Sequence, residues 1–373
     1  MNNAQPTIVL AAGGTGGHIF PAEALARELL GRGYEVALMT DKRGLSFSEG
    51  LTVPVYRIRS SALGKGLIGK IRSVGEIGFG FLQAWSKLAK IKPKAVIGFG
   101  GYPTVPILYA AAQCRIPFVL HEQNAIVGRA NAVFAGRASA LATSFPEIKG
   151  LPVHVKTRTV YTGNPVRPAF MALRAKPYAT PQDGGAFKLL VLGGSLGARI
   201  FSQVVPQAIA RLPETMRRRL VVSQQCRKED IDVARSAYAA AGVETELSTF
   251  FHDVPERMAD AHLVIGRSGG STIAELTVIG RPSILIPFAG GIAGEQTANA
   301  EAVAEAGGAW LIPEQAFTPE SLAIRLESLI ALPSSLSKTA AAARAWGKVR
   351  AVDNLADCIV SIITQGENLE HTS

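Results

Sequence analysis

Short uncharged apolar runs alternate along the chain with longer stretches whose apolar residues recur at helical spacing. Thr7–Ala12 predicts a buried strand, followed by a glycine loop and a helix from Pro21 to about Leu30. Further strands are predicted at Glu35–Thr40, Ala95–Phe99, Pro117–His121 and Ala138–Thr143. A stretch holding Pro146, Pro152, Pro165, Pro168, Pro177 and Pro181 then closes on Gly184-Gly185 and predicts a boundary with a linker. After it the rhythm restarts, with strands at Phe187–Leu192, Arg219–Ser223, Leu263–Gly266 and Ser283–Pro287. Helices are predicted at Ala198–Leu212, Lys228–Ala241, Thr272–Ile279 and Gln296–Ala306, and the tail from Thr318 to about Thr364 is helical in pattern. Such strand–helix alternation predicts parallel, doubly wound sheets and hence an α/β fold class. The two halves open alike: Val9–Leu29 and Val191–Leu212 each give a strand, a Gly-Gly-(Thr/Ser)-x-Gly turn and an amphipathic helix. Two Rossmann-like domains facing a central cleft are therefore expected, at residues 1–165 and 166–345, with a last helix at 346–373.

Composition narrows the class. Over 373 residues, 47% are hydrophobic and 18% charged, which excludes disorder as the main state. The net charge of +10 favours a polyanionic partner: nucleic acid, anionic lipid or a phosphorylated substrate. Cys114, Cys226 and Cys358 are odd in number and scattered, so neither a disulfide framework nor a structural zinc site is expected. The first residues lack a basic region followed by a long apolar one, so no signal peptide is predicted. Ala95–Cys114 is long and uncharged enough to span a membrane, but Gly98, Gly100, Gly101, Pro103 and Pro106 break it into strand, loop and helix start.

The positive charge is concentrated between Lys65 and Lys94, which carries +6 of the net +10. Lys65, Lys70, Arg72, Lys87, Lys90, Lys92 and Lys94 face one acid, Glu76, and interleave with Phe79, Phe81, Leu82 and Trp85. Cations around an apolar, aromatic helix predict an interfacial membrane surface for residues 65–94. Nucleic acid is not expected as a partner, since no recognised binding motif accompanies the charge.

Several loops carry chemistry. Gly13-Gly14-Thr15-Gly16-Gly17-His18 lies between a strand and a helix start, where free N–H groups and the helix dipole favour an anion. It lacks the third glycine of a dinucleotide fingerprint, which argues against a nicotinamide-dependent dehydrogenase. Gly98–Thr104 is a second glycine loop of the same half, and His121-Glu122-Gln123-Asn124 forms a polar cluster at the same sheet edge. In the second half, Gly193-Gly194-Ser195-Leu196-Gly197 offers another anion-binding helix start, and Arg167 at the domain junction could reach a phosphate. Arg267–Thr272 precedes the helix bearing Glu275, whose carboxylate could accept both hydroxyls of a ribose. Glu295-Gln296 opens a further helix.

Taken together, Gly14–His18 with Pro21, Gly98–Thr104, His121–Asn124, Thr162–Arg167, Gly193–Arg199 and Arg267–Glu275 closely resemble the MurG family, over about Thr7 to Ala306. These are the undecaprenyldiphospho-muramoylpentapeptide β-N-acetylglucosaminyltransferases of bacterial peptidoglycan synthesis. The resemblance implies a GT-B fold whose final helix crosses back to the first domain. It also implies transfer of N-acetylglucosamine from UDP-N-acetylglucosamine (UDP-GlcNAc) to the C4 hydroxyl of the muramoyl sugar of lipid I. The product would be lipid II, made with inversion by a peripheral protein at the cytoplasmic face of the inner membrane. Carried over by motif, Arg167, Ser195, Glu275 and Gln296 would hold the donor, with the Gly270, Ser271, Thr272, Ile273 and Ala274 backbone nearby. Thr15, Gly16, Gly17 and Asn124 would close around the transferring sugar and acceptor, and Phe251 would frame uracil through its backbone. The chain departs from the pattern at Ser223-Gln224-Gln225-Cys226, where members often show His-Gln-(Ser/Thr)-Gly, and at Glu295, where an amide or histidine is usual.

For the base that takes the acceptor proton, His18 is the first candidate and Glu122 the second. Arg167 and the Ser195 helix start would meet the charge developing on UDP without a metal or cofactor. A UDP-GlcNAc 2-epimerase-like enzyme and a non-catalytic nucleotide-sugar binder are the alternative readings.

Overall fold

In the computed structural model, residues 5–45, 52–61, 66–194, 197–290 and 294–371 are described. The chain divides into two units, residues 1–167 with 349–373, and residues 168–348.

The first unit is built on seven strands: β1 (Thr7–Ala11), β2 (Glu35–Thr40), β3 (Val55–Arg57), β4 (Ala95–Gly98), β5 (Phe118–Glu122), β6 (Ala140–Thr143) and β7 (Thr159–Tyr161). They form one parallel sheet in the order β3-β2-β1-β4-β5-β6-β7. A parallel sheet covered on both faces needs apolar residues at consecutive positions, which is why β1 is a continuous run and not an alternating one. Ile8 and Leu10 pack on one face with Leu25 and Leu29 of α1 (Gly16–Gly31) and with Leu355 and Ile359 of the C-terminal helix Ala351–His371; the short α2 (Lys42–Leu45) follows β2. Val9 and Ala11 pack on the other with Ala84 and Leu88 of α3 (Gly66–Ile91) and Ile107 and Leu108 of α4 (Thr104–Gln113). Arg32, just after α1, pairs with Asp357 at 2.6 Å, and Asn354 donates to the Thr162 carbonyl at 3.3 Å, so the C-terminal helix belongs to this unit.

The second unit repeats the plan with β8 (Phe187–Leu192), β9 (Leu220–Gln225), β10 (Glu244–Ser248), β11 (Leu263–Gly266), β12 (Ser283–Leu285) and β13 (Trp310–Leu311). Their order is β10-β9-β8-β11-β12-β13, again parallel. Leu189 and Val191 bury against Phe201, Val205 and Ile209 of the helix Arg199–Ala210. In both sheets the strand order reverses beside the first strand, between β1 and β4 and between β8 and β11. That switch point opens a crevice at the carboxyl edge, where ligands of open α/β sheets bind.

Several elements differ from expectation or refine it, among them the strands β3, β10 and β13, which the sequence reading did not contain. The first helix begins at Gly16 and not at Pro21, which lies inside it; Ile19 and His18 donate to the Thr15 carbonyl, so the turn before the proline is already helical. The proline-rich stretch is not all linker, because β7 lies within it and joins the first sheet. The helical tail is three helices, Pro319–Ala331, Pro333–Trp346 and Ala351–His371, two of them opened by proline at the first position, where its missing N–H loses nothing.

Candidate functional site

In the first unit the loops after β1, β4 and β5 converge at the switch point. Thr15 is exposed, Gly16 buried and Gly17 half-buried at the start of α1, and His18 follows on the first turn. His18 Nδ1 lies 3.1 Å from Gln123 Oε1. Its Nε2 faces the second glycine loop, where a Cβ at Gly101 would lie 3.3 Å away on a backbone of φ +76. Glycine is required there for both reasons: the left-handed backbone and the close approach of the ring. Burial holds the His18 imidazole below its ordinary range, against the opposing hydrogen bonds of Gln123 and the Phe99 backbone, and the Arg43 charge adds to the lowering.

Beneath it, His121 is fully buried, its ring 5.4 Å from that of Phe99, and burial pushes it down to about 4 despite the Gly163 carbonyl. Glu122 is buried and committed to its own loop. Its Oε1 accepts from the Asn124 amide at 3.1 Å and side chain at 3.3 Å; its Oε2 accepts from the Gly128 amide and Asn131 Nδ2, both at 2.8 Å. Burial raises this carboxyl against those four donors. Asn124 is thereby oriented by Glu122. Arg167 lies with its guanidinium 4.5 Å over the ring of Phe20, on α1.

The first unit also carries a basic cavity of about 330 Å³, lined by Asp41, Arg43, Arg57, Arg59, Glu76 and Tyr102 among others. Asp41 ends the β2 edge, accepts from the Gly14 amide at 3.2 Å and pairs with Arg43 at 3.3 Å. Arg43 in turn donates to the Tyr102 hydroxyl, so this group links the two glycine loops. Arg59 stacks 4.8 Å over Phe79 of α3. The exposed face of α3 presents Val74, Phe79, Leu82 and Trp85, with exposed Lys70, Arg72, Lys87 and Lys90 around them. Lys65 lies outside the described residues.

In the second unit, a Cβ at Gly193 would lie 2.4 Å from the Ala198 amide nitrogen, so the turn after β8 folds back onto its own helix start. Ser195, on that turn, lies outside the described residues. The helix Gly270–Ile279 starts directly after β11, with Gly270, Ile273 and Ala274 buried and Ser271, Thr272 and Glu275 half-buried. Gln296 is turned inward: its Oε1 accepts from the Phe288 amide at 3.0 Å, and its backbone carbonyl accepts from Ser268 Oγ at 2.7 Å. Arg267 is structural, pairing with Glu314 and donating to the Ile286 and Pro287 carbonyls. Phe251 is buried under the Arg257 guanidinium at 4.2 Å, beyond β10.

Among the described residues, each unit therefore gathers its own predicted residues on loops and helix starts at its carboxyl edge. Sequence reasoning missed Arg43, three residues past β2, Arg57, the last residue of β3, and Arg59, two residues past it, as well as Asn131, which gave no signal. Among the described residues, no cluster of three His, Cys, Asp or Glu side chains could hold a metal ion, and no helix is long and apolar enough to cross a membrane.

The N-terminal domain of glycosyltransferase family 28 matches residues 8–143, and the C-terminal domain of that family matches residues 188–355. A protein of Rhodospirillum centenum, named UDP-N-acetylglucosamine–N-acetylmuramyl-(pentapeptide) pyrophosphoryl-undecaprenol N-acetylglucosamine transferase, is 56% identical over 354 residues, covering 95% of this chain and 93% of that protein. Its namesake from Paramagnetospirillum magneticum is 50% identical over 365 residues, covering 97% and 98%. Among solved structures, Acinetobacter baumannii MurG superposes with a TM-score of 0.77 at 27% identity, over 96% of this chain and 100% of that one. The UDP-GlcNAc 2-epimerase of Neisseria meningitidis gives 0.66 at 15% identity, over 95% and 100%, a likeness of fold alone.

Proposed function

The chain belongs to glycosyltransferase family 28 and has the two Rossmann-like domains of the GT-B class, and from that premise we propose the following reaction. It moves N-acetylglucosamine from UDP-GlcNAc to the C4 hydroxyl of the muramoyl sugar of lipid I, giving lipid II. The observation that carries this is the 56% identity across 95% of the chain to a transferase of that name. The epimerase alternative shares only the fold.

The acceptor hydroxyl attacks C1 of the donor sugar as the C1–O bond to UDP breaks, and inversion follows from attack on the opposite face. His18 takes the hydroxyl proton. A neutral imidazole is the right form for a base, and its lowered pKa keeps it neutral at pH 7. Glu122 is the weaker candidate because four donors already occupy its oxygens. Arg167, Ser195 and the N–H groups that open the helix Gly270–Ile279 meet the charge left on UDP, and Glu275 holds the ribose. Gln296 serves this site by accepting from the Phe288 amide through its side chain and from the Ser268 hydroxyl through its backbone carbonyl. Thr15, Gly16, Gly17 and Asn124 line the acceptor side, and the basic cavity at Arg43, Arg57 and Arg59 suits the acceptor's diphosphate. The apolar face of α3, rimmed by lysine and arginine, suits peripheral attachment to an anionic bilayer on the cytoplasmic side.

The test is transfer of radiolabel from UDP-GlcNAc to a lipid I analogue. Acceptor-dependent formation of a labelled disaccharide is expected. Epimerised sugar, or nucleotide binding without turnover, would overturn the reading.

A further inference from the structure

A chain of four hydrogen bonds runs beneath His18, and it is anchored by groups whose polarity is fixed. Gln123 Nε2 lies 3.0 Å from the backbone carbonyl of His121, which can only accept, so that end of the amide is the NH₂. Its other end is therefore the carbonyl oxygen, and it faces His18 Nδ1 at 3.1 Å. Only a protonated Nδ1 can satisfy it. The same NH₂ lies 2.9 Å from His121 Nδ1, which must then be the bare nitrogen of that ring. His121 carries its proton on Nε2 and donates to the Gly163 carbonyl at 3.2 Å, with Ser144 Oγ 3.4 Å away. Each assignment forces the next, from one backbone carbonyl to the other.

We propose that Gln123 and His121 are positioning residues that fix the tautomer of His18, keeping its proton on Nδ1 and leaving Nε2 bare to take the proton of the attacking hydroxyl. This rests on the reading of His18 as the base. The free ring prefers no such arrangement strongly, so without the amide the proton would divide between the two nitrogens and the base would be lost in part. Burial of Gln123 and His121 makes the device stiff, since any flip of the amide would set its NH₂ against an N–H and its oxygen against a carbonyl. The charged and titratable groups around the ring are Arg43, which opposes the imidazolium, and His121, which is itself neutral, while the Phe99 backbone favours the protonated form.

The experiment uses the full-length protein labelled with ¹⁵N-histidine, its six imidazoles resolved by NMR and His18 assigned by its loss in His18→Asn. Above pH 7, His18 is expected to show a protonated Nδ1 and a bare Nε2. In Gln123→Met that preference disappears and kcat falls at least tenfold, while KM for UDP-GlcNAc stays within twofold. Gln123→Glu keeps an acceptor facing Nδ1 but adds negative charge. It should preserve the tautomer and move the acid limb of the kcat–pH profile to higher pH, a shift that a merely structural role would not produce. A wild-type His18 protonated on Nε2, a Gln123→Met protein with an unchanged tautomer, or an unmoved limb in Gln123→Glu would each overturn the proposal. Full turnover in His18→Gln would instead overturn the choice of base, and the NMR result would stand apart from it.

Discussion

Trp85 offers a direct measure of whether α3 is a membrane surface. Its indole is 48% exposed, on the flank of the helix beside the buried Leu88 three residues on, so about half of the ring is covered and half is open. An indole has roughly 250 Å² to bury, so about 120 Å² is available to a bilayer interface. At about 25 cal/mol per Å² this is worth about 3 kcal/mol if the ring inserts fully, and about 2 if it inserts in part. Trp85→Ser should therefore weaken vesicle binding by the folded protein roughly 30- to 150-fold, with circular dichroism showing the variant still folded under the assay conditions. The four surrounding cations add about 1 kcal/mol each near anionic lipid. Co-sedimentation with vesicles of phosphatidylcholine, with and without a quarter of phosphatidylglycerol, separates the two contributions. Raising the salt from about 0.1 to 1 M shortens the screening length from about 10 to 3 Å, and should abolish the preference for anionic vesicles but not the effect of Trp85. Turnover of a water-soluble, short-chain acceptor should not change in the variant. Equal vesicle binding by wild type and Trp85→Ser, or equal binding to neutral and anionic vesicles at low salt, would refute the reasoning.

Other consequences are as concrete. Replacing Arg57 and Arg59 together by Ala should raise KM for a diphosphate-bearing acceptor at least tenfold and leave KM for UDP-GlcNAc unchanged; steady-state kinetics with each substrate varied in turn checks this. Glu275→Ala should do the reverse, raising donor KM by about one to two orders of magnitude through loss of two charge-assisted hydrogen bonds. His121 is buried as the neutral ring, at about 4 against an unfolded value of 6.5. The native state then binds fewer protons than the unfolded chain between those values, so stability present above pH 6.5 is lost as pH falls towards 4. The loss should reach about 3 kcal/mol, read as a falling urea midpoint that is absent in His121→Phe.

The sheets were legible in the sequence because a strand buried on both faces leaves an uninterrupted apolar run, as Thr7–Ala11, Ala95–Gly98 and Leu263–Gly266 do. Short edge strands were not. The three-residue β3 and β7 and the two-residue β13 carry too few positions for a period, and β10 alternates with polar residues because one face is half-exposed. The glycine loops announced themselves by composition, and His18 by its place beside them. What escaped was anything decided by pairing across the sheet. Gln123 was visible as one member of a polar cluster, but the His121 ring it meets is held by the Gly163 carbonyl 42 residues on, brought near by the β5–β6–β7 pairing. Pro21 misdirected the helix start because proline is favoured at the first helical position. Here a tolerated interior proline outweighed that preference.

The two units share a plan yet divide the chemistry, and the division follows from one pair of equivalent strand ends. In both sheets the first strand is flanked by the strand after which order reverses, and the next one out is β5 in the first unit and β12 in the second. At the end of β5 the chain runs His121-Glu122-Gln123, buried polar residues that hold and orient protons. Beyond β12 it runs Ile286-Pro287-Phe288, which holds none. The second unit instead offers helix-start amides after β8 and β11, groups suited to fixed negative charge and unable to accept a proton. On the proposed reaction, proton transfer would fall to the first unit and stabilisation of the leaving diphosphate, Arg167 apart, to the second. Substitutions at His18 or Gln123 should lower kcat with donor affinity intact, whereas Ser271→Pro, which blocks an amide at the start of Gly270–Ile279, should weaken UDP binding measured in the absence of acceptor. A loss of UDP affinity in the His18 and Gln123 variants as large as in Ser271→Pro would show that the chemistry is not divided in this way.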